Sequence, residues 1–172
     1  MYLNIETSYG DLIASGSALA KGEKNDCVVR SIAAATNVDY NAAHAFCKKE
    51  FKRVDRRGVR GSTIEAKFQK ASEKDGIEIK GRTFDVRVLG KREIKNMYKL
   101  KGEEIWRQKT LKSFCESHPV GRFVVTVSKH ALTIVDGELN DWDSLKFKPT
   151  RKVLEAYELV RTGLGKQLTI EF

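Results

Sequence analysis

Asp136-Gly137 lies between two apolar runs, and no other feature of the chain constrains its folding as tightly. A type I′ turn needs positive φ at both central residues, and Asp-Gly meets that need. Phe123-Val124-Val125-Thr126-Val127 has the composition of a strand, and His130 to Val135 runs into the turn. With Asp136 and Gly137 as the loop, Val135 faces Glu138 and Ile134 faces Leu139. The same register sets Leu132 opposite Asp141 and His130 opposite Asp143. Side chains alternate along a strand, so His130, Leu132, Asp141 and Asp143 share one face. Asn140 falls on the other face, and a one-residue slip would exchange them. A histidine and a carboxylate on one surface form an arrangement that orients an imidazole.

Far upstream, Asn25-Asp26-Cys27-Val28-Val29-Arg30-Ser31-Ile32-Ala33 reads as the start of a helix. Asn25 or Asp26 can cap it, and Val28, Ile32 and Ala35 recur at helical spacing. Cys27 then sits in the first turn, where the helix dipole and a nearby imidazolium both favour a thiolate. The chain order is therefore cysteine, then histidine, then aspartate.

That order, with Asn-Asp-Cys-Val-Val-Arg at 25–30, Pro119-Val120-Gly121-Arg122-Phe123-Val124-Val125 and His130…Asp136-Gly137…Asp141-Trp142, resembles the papain-like cysteine peptidases. More narrowly, it is similar to small phage and bacterial peptidase-like proteins, akin to bacteriocin-leader peptidases and more distantly to Josephin-type deubiquitinases. The resemblance covers about residues 25–50 and 110–145. It implies an α+β fold, with N-terminal helices packed on a C-terminal antiparallel sheet and the nucleophile at a helix N-terminus. It also implies a cysteine-dependent acyl-transfer enzyme acting on a peptide or protein, in the host cytoplasm if phage-encoded. Cys27, His130 and Asp141 are the expected catalytic residues, with Asp143 or Asn140 as alternative orienting groups. His130 would take the Cys27 proton, and Asp141 would fix the imidazole tautomer. Asn25 and the Cys27 backbone N–H would hold the oxyanion. Larger papain-like enzymes carry a Gln about half a dozen residues before the cysteine, where this chain has Lys21. Resolution by water would make a peptidase, isopeptidase or amidase, and resolution by an amine a transglutaminase-like transferase. A second reading stays open: a catalytically inactive binding module of the same fold, gripping a host protein or nucleic acid through its basic surface.

The remaining features set bounds. The chain has 172 residues and reads as one domain, 1–172, with a charged insertion expected at about 89–108. No run of eighteen apolar residues is present, so no transmembrane span is expected, and Met1 to Ala20 lacks the pattern of a signal peptide. Three cysteines, Cys27, Cys47 and Cys115, suggest a reducing cytoplasm rather than a disulfide framework. No phosphate-binding glycine loop or other cofactor motif occurs. His44 and Cys47 form a single His-x-x-Cys pair without the second pair a structural zinc site needs, so no metal is expected. The net charge of +9 suits an acidic protein partner or nucleic acid. Lys48, Lys49, Lys52, Arg53, Arg56, Arg57 and Arg60 form a dense basic stretch for such a partner, with only Phe51 to stack on a base.

Between these features the chain alternates in type. A short strand is expected at Tyr2–Glu6, a helix from Asp39 to about Lys52, and a helix opened by the capping box Ser62-Thr63-Ile64-Glu65. Ile77–Ile79 and Thr83–Val88 read as a hairpin through Gly81, and Lys91–Glu104 carries Ile94, Met97 and Tyr98 at helical spacing. Thr110–Cys115 opens a short helix, with His118 in an exposed turn before Pro119. Thr150–Arg161 permits either helix or strand, and Gln167–Phe172 reads as an edge strand.

Overall fold

The structure is a computed structural model that describes residues 16–140 and 148–162. The expected strands at Tyr2–Glu6 and Gln167–Phe172, and the residues Asp141, Trp142 and Asp143, lie outside the described residues.

Six helices and eight strands are described. A short α1 (Ala18–Gly22) leads into α2 (Cys27–Thr36), α3 (Tyr40–Glu50) and α4 (Gly61–Ser72). Then come β1 (Ile77–Ile79), β2 (Arg82–Val88), a single turn α5 (Lys91–Ile94), β3 (Lys95–Leu100) and β4 (Glu103–Gln108). Helix α6 (Leu111–Ser117) precedes β5 (Arg122–Val127), β6 (His130–Val135), β7 (Glu138–Asn140) and β8 (Glu155–Arg161). The architecture is thus α+β, with N-terminal helices packed against a C-terminal antiparallel sheet.

The main sheet runs β1-β2-β8-β5-β6-β7, and every neighbouring pair is antiparallel. The Asp136-Gly137 turn forms with φ of 48° and 76°, and it pairs Val135 with Glu138 and Ile134 with Leu139. A second turn of this kind, Lys80-Gly81, joins β1 to β2. Residues 155–161 are extended, and β8 lies between β2 and β5. Its apolar side chains alternate between the two faces: Ala156 on one, Tyr157 and Leu159 on the other.

The central strands bury both faces, which explains their unbroken apolar runs. On one side Val124, Ala131 and Tyr157 meet Val28, Ile32, Phe46 and Phe68 of the helical layer. On the other, Val125, Leu132 and Ile134 meet Leu111, Phe114 and Cys115 of α6. Helix α2 is tied down along its length. Thr133 Oγ1 donates to the Ser31 carbonyl at 2.8 Å, and Arg122 donates to the Ala34 and Ala35 carbonyls, each at 2.7 Å. A guanidinium at the carboxyl end of a helix satisfies orphan carbonyls and complements the dipole. Asn37 then ends α2 in the left-handed region at φ 52°.

Three local expectations are corrected. The Ser62–Glu65 capping box does not form, because Arg60 is the N-cap and Ser62 lies inside α4. The helical reading of Lys91–Glu104 holds only for Lys91–Ile94, and residues 95–108 form a separate hairpin through Lys101-Gly102. His118 is not a free turn residue: it stacks on Phe114 at 4.0 Å between centroids, and burial lowers its pKa.

Candidate binding cleft

Asn25 adopts φ 53°, and this turn delivers the chain into α2 with Cys27 at its first position. Asp26 precedes the helix but does not cap it with its side chain. Its carboxylate instead accepts from Tyr40 Oη at 2.6 Å and Arg30 Nε at 3.0 Å. Burial, together with that carboxylate, raises the Tyr40 pKa. The start of α2 is therefore pinned to α3, and Cys27 is held half-buried at the edge of a cleft.

The cleft has a volume of about 830 Å³. Asn25, Cys27 and Val28 line one side; Gly58, Val59, Ser62 and Glu65 line a second; Val127, Lys129, His130 and Glu155 line a third. The amino-terminal ends of α2 and α4 both open onto it. Burial raises the pKa of Glu155, and the neighbouring Glu65 adds to the effect. Cys27 and His130, expected together, do share this cleft. Asn25 also borders it, while its Nδ2 donates to the Arg56 carbonyl at 3.2 Å. Asn140 pairs with Thr133 in the sheet, and its Nδ2 donates to the Glu138 carbonyl at 3.2 Å.

The cysteine enzyme is a different matter. Among the described residues, one group of histidine, cysteine and carboxylate ligand atoms lies within 4.8 Å of one another: Glu23, His44 and Asp55. No cysteine belongs to it. The expected cysteine protease with a Cys27-His130-Asp141 catalytic triad, whether hydrolase or transferase, is accordingly corrected. The sequence order of the three residue types was a weaker guide than the clustering of their atoms. Cys47 and Cys115 are core residues, with burial pushing their thiols up to about 12 and about 11.

The Glu23 group has a structural part of its own. Arg53 Nη2 donates to Glu23 Oε2 at 2.6 Å and to the Lys24 carbonyl at 3.2 Å, and the Arg56 N–H donates to the same carboxylate oxygen at 3.0 Å. His44 Nε2 lies 3.2 Å from Glu23 Oε1 and 3.3 Å from Arg53 Nη1. Burial pushes the Glu23 pKa up, but the hydrogen bonds from Arg53, Arg56 and His44, with the Arg53 charge, outweigh it and hold the value at about 2. The guanidinium of Arg53 thus engages two members of this group, Glu23 and His44, and supplies the Glu23 carboxylate with a cation of the chain's own.

Arg53 is thus a correction to the expected basic patch: it is 4% exposed and serves the interior. Lys48 pairs with Asp55 at 3.1 Å and Lys49 with Glu50 at 3.8 Å, and both are exposed, as are Lys52, Arg56, Arg57 and Arg60. The Glu23 anchor went unread in the sequence. A Glu thirty residues before an Arg carries no local pattern, and only the 53–60 loop folding back on residues 23–25 brings them together. That same fold-back builds the Gly58-Val59 wall of the cleft.

No protein-family model, curated protein or solved structure matches the chain. Among the described residues, no helix is long and apolar enough to cross a membrane.

Proposed function

We propose that this chain is a non-enzymatic binding module on a papain-like scaffold, which grips a segment of an acidic partner protein in the cleft between its helices and its sheet. The observation that carries the reading is the composition of that cleft. Val28, Val59, Ile64, Val127, Ala131 and Leu154 give it apolar wall, while Asn25, Ser62, Glu65 and Glu155 supply hydrogen-bonding groups. Such a mixture suits a peptide, whose backbone and side chains need both. Exposed Arg57 and Arg60 flank the Gly58-Val59 wall in sequence, and Lys129 is on the facing wall, so the rim favours carboxylates. Nucleic acid is the rival occupant of the same basic rim, and among the described lining residues it finds one ring to stack on, the His130 imidazole. Cys27 and His130 are contact residues in this reading.

The test is binding of fluorescent poly-L-glutamate and of single- and double-stranded DNA oligonucleotides, each at 50 and 200 mM salt. The expected result is polyglutamate binding that weakens with salt and is lost in Arg57→Glu/Arg60→Glu. Filling the cleft with Ser62→Trp, at an exposed lining position, is expected to weaken it as well. Tighter binding of either DNA, with a steep salt slope, would replace the acidic-protein reading with a nucleic-acid one.

A further inference from the structure

The β3–β4 hairpin has no place in the cleft, yet it exposes more apolar surface than a free-standing element should. The two strands pair only with each other among the described residues, from Lys95 opposite Gln108 to Leu100 opposite Glu103. An isolated two-stranded hairpin is marginally stable in water. This one is rooted by Asn96 Nδ2 donating to Ser113 Oγ at 3.3 Å and by the Lys109 N–H donating to the Ile94 carbonyl at 2.9 Å.

The register sorts its side chains into two faces. Met97 pairs with Trp106 on one, where the Lys91 ammonium covers the Trp106 ring at 4.6 Å from its centroid. Asn96, Tyr98 and Leu100 line the other with Glu103, Ile105 and Arg107. Tyr98 is 51% exposed and Leu100 56%. Two large apolar side chains two residues apart on one strand make a strip that a monomer gains nothing by leaving wet.

Charge decides what would cover that strip. Lys95, Lys99, Lys101 and Arg107 outnumber Glu103 and Glu104 along the hairpin, and Arg107 lies over the Tyr98 ring at 5.9 Å. A second copy of a chain with net charge +9 would bring like charges together. An extended acidic segment meets the lysines favourably, and its alternate residues can lie on Tyr98 and Leu100 while its backbone bonds to the open strand edge.

We infer that the outer edge of β3, with Tyr98 and Leu100, is a docking strip that takes an extended segment of alternating acidic and apolar residues from a protein partner as a third strand. This rests on the reading of the chain as a binder of acidic proteins and adds a second, sequence-selective contact to it.

The probe is a fluorescein-labelled peptide, Glu-Leu-Glu-Val-Glu-Leu-Glu-Val, read by anisotropy, with circular dichroism checking that each variant is folded. Binding by the wild type is expected to fall at least tenfold in Tyr98→Ser/Leu100→Ser and in Lys99→Glu/Lys101→Glu. It is also expected to fall when a proline replaces a central valine of the peptide, since proline cannot extend a sheet. Peptide binding that survives the hairpin variants but is lost in Arg57→Glu/Arg60→Glu would overturn this inference and leave the cleft reading standing. The reverse pattern would leave the docking strip standing and sink the cleft. No binding by the wild type overturns the docking strip outright. Sedimentation that shows a dimer abolished by Leu100→Glu overturns it too, because a second copy would then be the occupant.

Discussion

Arg53 shows how much one side chain can do for this molecule. Its guanidinium neutralises Glu23, whose side chain is 4% exposed, and bonds the Lys24 carbonyl beside it. Removing one member of a buried pair leaves the other charged and unpaired, at a cost of about 3–5 kcal/mol. Urea denaturation of Arg53→Met is therefore expected to show a loss of that order. The double variant Glu23→Leu/Arg53→Met, which leaves no orphan charge, should recover most of it. The same contact makes an acid-sensitive clasp. The folded pKa of Glu23 is depressed to about 2 from its ordinary 4.5. Its contribution, of the order of 3 kcal/mol, is thus present above pH 4.5 and lost as pH falls towards 2. Glu23→Gln should flatten that part of the stability profile. If wild type and Glu23→Gln lose stability in parallel over that range, the clasp is not the acid-labile element. Arg122 is a second anchor of this kind. Arg122→Met gives up two hydrogen bonds to the end of α2, and a loss of about 1.5–3 kcal/mol is expected in the same assay.

At the scale of elements, two of the described turns with paired positive φ values were legible. Asp136-Gly137 announced both the turn and its register, and Gly81 announced β1–β2. Residues 95–108 were misread for a physical reason. Ile94, Met97 and Tyr98 fall at helical spacing, but only Ile94 is buried, and Met97 and Tyr98 project from opposite faces of a ribbon. Periodicity reports a buried face, and this segment has none in the described fold. The Lys101-Gly102 turn, with φ of 51° and 85°, was the better signal, but Glu103-Glu104 follow it where an apolar strand start would have marked it. The stability of the hairpin should be correspondingly local. Amide hydrogens of β3 and β4 are expected to exchange faster than those of β5, β6 and β8, measured by mass spectrometry of deuterated protein. Uniform protection across both sheets would show the hairpin to be part of the cooperative core. Gly76 offers an opposite case, an element junction with no slack. Its φ is 72°, and a Cβ there would lie 2.1 Å from the Phe84 carbonyl oxygen. Gly76→Ala is expected to cost about 2–4 kcal/mol, from backbone strain and the forced displacement of β2.

For the whole molecule, the sheet is the element that both layers share, and its composition said so early. Phe123 to Val127 lacks the alternation of a half-exposed strand because Val124 faces the helical layer and Val125 faces α6. The α+β class was therefore readable from the order of helices and strands, whereas the identity of the clustered side chains was not. Cys27, His130 and Asp141 were grouped on order, hairpin register and local context, and among the described residues the atoms that cluster are those of Glu23, His44 and Asp55. Residue order fixes which elements can face one another, but loop trajectories decide which side chains meet, and the 53–60 loop bears no motif. A shared sheet also predicts how the molecule unfolds. Ile32 belongs to the cluster on one face and Leu132 to the cluster on the other. Ile32→Ala and Leu132→Ala should each cost about 2–5 kcal/mol, the usual range for emptying a fully buried aliphatic site. Because β5, β6 and β8 carry side chains of both clusters, neither cluster can melt without exposing the back of the other. Each variant should therefore keep a single calorimetric transition, with an unchanged denaturant slope. Two transitions in the Leu132→Ala protein would mean that the α6 side unfolds alone, and that the chain is two cooperative units rather than one.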